Sequence, residues 1–384
     1  MEKVKFAVIG VGGIGKYHAE IIKMINETEL VAIADINEKV GRRIASNYKV
    51  AFYKDYLDMI EKEELDAVSI CTPHFSHDEI AVNCAKCGVN ILVEKPMALS
   101  IKRADRMIQE AKKNSVKLGV VFQWRTYPVY LAAKKVIEKG LLGDLIFSFL
   151  NFYCYRSQKY YLRGFWRGKW AYEGGGVLIT QAIHAIDIYQ WLINTKFKRL
   201  FAYIGTLGHE IEVEDIAIAS IEFENNAKGS IFATSLSALP GSETLPDMII
   251  QGEEGALIIR RYLCYEKDKE IKKCNILFYE FDIPVREAIM KSVQYEKDLY
   301  PKAKIKEIEL KRGKGGHEEV IRDFALAILE DRNPMVPGEE GRKSLEIVNA
   351  IIYSGIKRVE VNFPLNADEY EKLIQKLAKI SPSR

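Results

Sequence analysis

Short apolar runs alternate with longer amphipathic ones through the first third of the chain. Val4–Ile9 reads as a buried strand, and Gly13–Met24 carries apolar residues at helical spacing. Leu30–Ala34, Ala67–Cys71, Val89–Val93 and Val116–Val121 repeat the strand signature, while Ser76–Cys87 and Ser100–Lys113 repeat the helical one. Strands spaced by helices imply parallel βαβ units with right-handed crossovers. The sequence therefore predicts an α/β fold that begins with a doubly wound parallel sheet of Rossmann type over residues 1–125.

The pattern then changes. Pro128–Gly140 reads as a linking helix, Leu145–Tyr155 as a long aromatic strand and Val177–Leu192 as a helix. Strands dominate afterwards: Phe201–Gly208, Ala217–Phe223, Gly229–Ser237, Met248–Gly252 and Ala256–Arg260, with a hairpin turn at Glu224-Asn225-Asn226-Ala227. Residues 126–366 are thus predicted to form an α+β domain on a large, mostly antiparallel open sheet. Within it, 261–312 is rich in Lys, Glu and Tyr without clear period and reads as an insertion. Glu318–Leu329 and Gly341–Ile356 are helical, Val359–Phe363 is a closing strand, and 367–384 is a tail whose Ala367–Lys379 is an amphipathic helix. An open sheet leaves one face free to meet a second copy of itself, which predicts a homodimer or homotetramer.

Composition narrows the class. A chain of 384 residues is too long for one ordinary core. A net charge of +3 gives no reason to expect nucleic acid or membrane partners. No run is apolar for the length of a membrane span, and the N-terminus enters a charged strand directly, so residence in the cytoplasm is expected. The chain's 6 cysteines are too few for a disulfide framework. Cys84 and Cys87 have the spacing of a metal or redox pair, but they lie in a helical stretch without a second pair, so packed thiols and no metal are expected.

Candidate chemistry begins at Gly10-Val11-Gly12-Gly13-Ile14-Gly15, which follows the first strand and opens the first helix. Gly10 permits the tight turn, Gly12 lets the backbone approach a pyrophosphate, and Gly15 lets the helix pack on the sheet. Asp35 ends the second strand, where an acid accepts hydrogen bonds from the adenosine ribose and repels a 2′-phosphate, predicting NAD rather than NADP. Thr72-Pro73 follows the Ala67–Cys71 strand on the same edge, and His74 and His77 come next. At Glu94-Lys95-Pro96 an apolar run stops, so Lys95 belongs at the carboxyl end of a central strand, where ligands bind. A half-desolvated amine there exchanges protons nearer neutrality. The plain alternative is a surface lysine on a turn.

A second cluster follows Glu173-Gly174-Gly175-Gly176. Thr180, His184 and Asp187 lie on one face of the next helix, and His184 suits general acid–base work. Just before it, Tyr161–Tyr172 holds Arg163, Trp166 and Arg167, aromatics and cations suited to a carbohydrate site or, equally, to a solvated loop with core aromatics. His317, at a helix start, either reaches the same cleft or is part of a plain cap.

The glycine fingerprint, the Glu-Lys-Pro turn and the triple-glycine-to-histidine helix, in that order, resemble the glucose–fructose oxidoreductase, inositol dehydrogenase and rhizopine catabolism family, Gfo/Idh/MocA. The resemblance runs from about Lys3 to Leu365 and includes Asp323-Phe324, Asn333-Pro334 and Pro337-Gly338-Glu339-Glu340-Gly341. It implies that Lys95, often reached through a cis Lys-Pro bond, is the catalytic lysine beside the nicotinamide and that His184 is the catalytic histidine. It implies cofactor-side positions for Glu94, Trp124 and Arg125. Thr180 stands where the inositol dehydrogenases usually carry Asp or Asn, and a threonine cannot stabilise imidazolium by charge. Asp187 is expected to orient the histidine ring or bond the backbone. The expected activity is hydride transfer between NAD and a sugar, inositol-like polyol or sugar acid. The rivals are NAD-assisted cleavage or elimination of a glycoside and a non-catalytic dinucleotide sensor.

Overall fold

The computed structural model describes residues 3–238, 247–260, 275–294, 299–310 and 315–380. Six strands, β1 (Val4–Ile9), β2 (Thr28–Ala34), β3 (Ala51–Tyr53), β4 (Ala67–Ile70), β5 (Asn90–Glu94) and β6 (Leu118–Val121), form a parallel sheet in the order β3-β2-β1-β4-β5-β6. Residues in β1, β4, β5 and β6 are almost all buried, as a sheet covered on both faces requires. The strand order reverses between β1 and β4. Loops leave such a switch point in opposite directions and open a crevice at the carboxyl ends.

The second sheet comprises β7 (Leu145–Tyr153), β8 (Phe197–Gly205), β9 (Ile216–Phe223), β10 (Lys228–Thr234), β11 (Met248–Gly252), β12 (Gly255–Arg260), β13 (Asn275–Phe281), β14 (Ala303–Glu307) and β15 (Val361–Asn362). Its order is β14-β13-β12-β11-β7-β10-β9-β8-β15, and among the described residues only β7 and β10 pair in parallel. Helices Ile183–Leu192 and Gly338–Lys357 pack on one face. The other face carries Phe149, Tyr203 and Ile218, which are 40, 65 and 51% exposed.

Two segments depart from the sequence reading. Within 261–312 the chain forms β13 and β14, which extend the sheet beyond β12, with helix Val285–Gln294 between them. The charged sequence Ala-Lys-Ile-Lys-Glu of β14 is exposed throughout, as suits an edge strand protected by lysines, and such a strand has no apolar alternation to reveal it. Residues 261–274, 295–298 and 311–312 of this stretch lie outside the described residues. The second departure is helix His317–Leu329, which returns to the first sheet. Val320, Ile321, Phe324 and Ala325 join the core of Val4, Phe6, Ile22 and Leu92. Gly119 makes room for it, since a Cβ there would lie 2.7 Å from the Phe324 ring.

Candidate functional site

The glycine turn has the geometry its spacing implies. Gly10 adopts φ +82°, and a Cβ on Gly15 would lie 1.8 Å from the Gly10 carbonyl oxygen. Gly12 and Gly13 face open space, with nothing within 4 Å of an added Cβ. No side chain caps the N-terminus of helix Gly13–Met24, so its first N–H groups remain available to an anion. Ile14 is exposed on the first turn. Asp35 Oδ2 accepts from Val11 N at 2.8 Å, and Oδ1 accepts from Asn37 N at 2.8 Å, fixing the carboxylate beside the turn. Thr72 packs on Gly10, its Cγ2 standing 2.8 Å from an added Cβ. The Ser76 hydroxyl donates to Thr72 Oγ1 and to the Pro73 carbonyl. This arrangement fits a dinucleotide on the strand ends.

His77, expected to contact the cofactor, instead bridges two loops. Its ring nitrogens lie 2.8 Å from the Pro96 and Thr72 carbonyl oxygens. Burial lowers its pKa, as it lowers that of His74, whose Nδ1 lies 3.1 Å from the Glu173 carbonyl oxygen. Cys84 and Cys87 occupy the end of helix His77–Lys86 as free thiols.

At the end of β5 the two neighbouring side chains part. Glu94 turns into a buried cluster: His18 Nε2 donates to Glu94 Oε1 at 3.0 Å, His317 Nε2 lies 3.5 Å from the same oxygen, and His18 Nδ1 meets the Ser69 hydroxyl at 2.8 Å. Burial opposes the Glu94 charge, but the hydrogen bonds from His18 and His317 outweigh it and hold the carboxyl well below its ordinary range. One ligand atom from each of these three side chains lies within 4.8 Å of the others, close enough to hold a metal ion. The His18–Glu94 contact of 3.0 Å is of hydrogen-bond length. His18, three residues after Gly15 on the same helix face, escaped the sequence reading although that spacing was visible.

Lys95 turns the other way, just ahead of a cis Lys95–Pro96 bond. Its Nζ donates to the Thr180 carbonyl at 2.8 Å. Burial pushes its pKa below the ordinary lysine value; Glu94 and Glu173 raise it, Arg167 and Arg156 lower it further. Thr180 lies in a wide π turn, Leu178–Ala182, where the sequence pattern predicts ordinary α-helix, followed by helix Ile183–Leu192. The Thr180 hydroxyl donates back to the Gly176 carbonyl. Gly176 must be glycine because a Cβ would lie 1.7 Å from the Glu214 carbonyl oxygen. The buried Glu214 carboxyl accepts from Gly176 N at 2.8 Å and Leu178 N at 3.1 Å, and burial lifts its pKa to about 7.

His184 is packed among rings. Trp124 stacks on it, centroids 5.1 Å apart and planes 20° from parallel, and Phe122 meets it edge-on at 6.0 Å. Trp124 therefore touches the histidine. Arg125, expected at the cofactor, and Asp187, expected to orient the histidine ring or bond the backbone, pair with each other: Arg125 Nε and Nη2 donate to Asp187 at 2.8 and 2.7 Å. Ser344 also donates to Asp187, and Arg125 Nη1 reaches Glu340 at 3.2 Å, giving the late Gly-Glu-Glu-Gly segment a structural role.

The aromatic loop brings Trp166 and Arg167 to the cleft, where Trp166 lies 4.8 Å from the His74 ring. The Arg167 guanidinium lies 4.3 Å from the ring centres of both Tyr160 and Trp166, and it contacts the Tyr160 hydroxyl. Arg163 is exposed and takes no part in these contacts. Sequence reasoning missed Tyr160, Arg156 and Gln181, which no motif marks, and the role of Glu173. The last is fully buried, 3.5 Å from Arg167, and burial raises its pKa to about 7 against the pull of the Gly168 N–H and Arg167.

Comparisons with known proteins agree with this geometry. Residues 4–122 match the model of an oxidoreductase family with an NAD-binding Rossmann fold, GFO/IDH/MocA, and residues 130–258 match the GFO/IDH/MocA C-terminal domain. The chain is 30% identical to myo-inositol 2-dehydrogenase of Thermotoga maritima over 59% of its own length and 67% of the relative's. It is 27% identical to the scyllo-inositol 2-dehydrogenase (NAD(+)) of Bacillus subtilis, covering 67% of this chain and 74% of that one. Among solved structures, the WlbA dehydrogenase of Bordetella pertussis, in complex with NADH and UDP-GlcNAcA, superposes with a TM-score of 0.78 at 27% identity, over 95% of this chain and 100% of that one.

Proposed function

The chain belongs to the Gfo/Idh/MocA oxidoreductase family, and from that premise we propose that Lys95 and His184 handle the proton in an NAD-dependent oxidation or reduction of a sugar or polyol carbinol. NAD dependence and action on sugar or polyol hydroxyls follow from the family and from the activities named for its inositol dehydrogenase members. The observation that carries the assignment is the Lys95 ammonium at the end of β5, bonded to the Thr180 carbonyl one helical turn before His184.

Bound NAD supplies the nicotinamide carbon that accepts or returns a hydride. Gly12, Gly13 and the uncapped helix N-terminus would hold its pyrophosphate, and Asp35 its adenosine ribose. In the oxidative direction the substrate's C–H electrons leave as hydride, its O–H proton passes to Lys95 Nζ, and the carbon–oxygen bond becomes a carbonyl. The lowered pKa of Lys95 makes neutral amine accessible for that step. His184, stacked on Trp124, stands as the second proton carrier. Because the Thr180 hydroxyl is committed to the Gly176 carbonyl and carries no charge, it cannot sustain a histidine cation, which shifts the main role to the lysine.

The exposed apolar face of the second sheet supports a homo-oligomer formed through it. No helix among the described residues is long and apolar enough to cross a membrane, and residence in the cytoplasm is part of the proposal.

The deciding experiment is a screen for NAD⁺ reduction over inositols, aldoses, anhydrosugars and uronic acids, with NADH oxidation over ketosugars alongside. Turnover with one of these classes, lost in Lys95→Met, is expected. Glycoside cleavage without net NADH change would replace this reading with the hydrolytic one.

A further inference from the structure

Beside Lys95 the cleft gathers positive charge that the protein balances only in part. Arg156 and Arg167 flank one phenol, their guanidinium carbons 5.2 and 4.3 Å from the centre of the Tyr160 ring. Gln181, directly after the residue that receives Lys95, ties the group together: it accepts from Arg156 Nη2 at 2.7 Å and donates to the Tyr160 hydroxyl at 3.0 Å. Both arginines are close enough to Lys95 to depress its pKa.

Their partners are mostly neutral. Arg156 donates to the Tyr155 carbonyl and the Gln181 amide oxygen; no carboxylate among the described residues pairs with it, and its buried Nε has no hydrogen-bond partner. Arg167 has Glu173, whose Oε1 is 3.5 Å away and makes no hydrogen bond. That carboxyl is fully buried, which pushes its pKa up to about 7, so at neutral pH it supplies only part of a charge. Arg156, Arg167 and Lys95 thus have one partly ionised acid of their own, the Glu94 carboxylate beside Lys95 being engaged by His18 and His317. Holding like charges together in a half-buried site is unfavourable unless an anion completes the set. A guanidinium group suits an oxyanion because its planar N–H fork matches it.

We propose that the substrate is an anionic sugar whose carboxylate or phosphate is held by Arg156 and Arg167, which places its carbinol at Lys95. This rests on the oxidoreductase reading of the same site and narrows its substrate class.

The test uses the full chain saturated with NADH, with NADH binding measured first. Dissociation constants are then taken for matched series: glucose, galactose and mannose, the corresponding uronates, and the corresponding 6-phosphates. At least one anionic member is expected to bind roughly 10- to 100-fold more tightly than its neutral parent, the span of a charge-assisted hydrogen bond. A uronate preference identifies the anion as a carboxylate and a 6-phosphate preference as a phosphate. Arg156→Gln and Arg167→Gln should each collapse the ratio, and Arg167→Lys should restore part of it. No acid or phosphate binding more tightly than its neutral parent overturns the inference, and turnover of neutral sugars would then leave the oxidoreductase reading intact. Failure of NADH to bind would count against that reading instead, and the same titrations on the protein alone would still decide the anion question.

Discussion

Arg125 donates two hydrogen bonds, of 2.8 and 2.7 Å, to the carboxylate of Asp187, and neither side chain is more than 2% exposed. The pair joins the end of the first domain to the helix that bears His184. Removing one partner leaves the other charge buried, at a cost of about 3–5 kcal/mol. Arg125→Met should lose that much in urea unfolding. Arg125→Lys should recover only part, because an ammonium cannot make both bonds in the plane of a guanidinium. A loss below about 1 kcal/mol would show that the pair is not a structural tie.

Lys95→Met should keep the fold and lower kcat by roughly 10²–10⁴-fold, the usual worth of a positioned proton carrier. His184→Asn should retain more activity, because Thr180 lends its ring no charge. Equal losses would undo that ordering. In the parent enzyme the limb of the kcat/KM profile that reports Lys95 should fall below the ordinary lysine value of 10.5, since burial favours the neutral amine.

Glu173 and Glu214 give stability a pH dependence of known sign. Each has a folded pKa of about 7 against an ordinary 4.5. Below 4.5 both states hold the proton; between 4.5 and 7 the unfolded chain releases it and the folded chain does not, so stability falls as pH rises. The loss is at most roughly 3 kcal/mol per group and is complete above the folded pKa. Glu173→Gln should flatten the curve of unfolding free energy against pH and gain on the parent at pH about 8. A curve that keeps its slope would refute the buried-acid account of this residue.

Asp35→Ser should weaken NAD⁺ by roughly 10- to 100-fold, the value of hydrogen bonds to a charged group, and admit NADP⁺ by removing repulsion of the 2′-phosphate. Steady-state KM values for both cofactors check this. An unchanged ratio of kcat/KM between them would mean that another residue selects the cofactor.

Much of this was legible beforehand, for physical reasons. β1, helix Gly13–Met24 and β11 fall where the apolar periodicity put them, because buried strands and amphipathic helices must show their period. The glycine turn was legible because only glycine allows φ +82° at Gly10 and the Gly15–Gly10 approach. The partners of charges were not. Nothing local to Arg125 says that it meets Asp187, 62 residues on, and Glu340, 215 residues on, rather than a cofactor. Arg156, Tyr160 and Gln181 converge only through tertiary packing, and β14 carries no buried side chain that could alternate with exposed ones.

Tyr203 and Ile218 project from β8 and β9 on the uncovered face of the second sheet. Replacing both with lysine should leave the monomer folded and reduce the mass measured by sedimentation to that of one chain. An unchanged assembly, or a monomeric parent, would remove this face from consideration.

Phe324 lies 6.3 Å from Phe6 and in the space left by Gly119. The nucleotide-binding unit is therefore unfinished when its own strands have been synthesised. A fragment stopped at residue 125 should be loosely packed and prone to aggregate, because the surface formed by Phe6, Leu92 and Val121 would lack the cover that Phe324 provides. On the ribosome, nearly two hundred further residues must emerge before that cover arrives. The second domain is thus threaded between the two parts of the first, and the order of synthesis ties completion of the cofactor domain to completion of its partner.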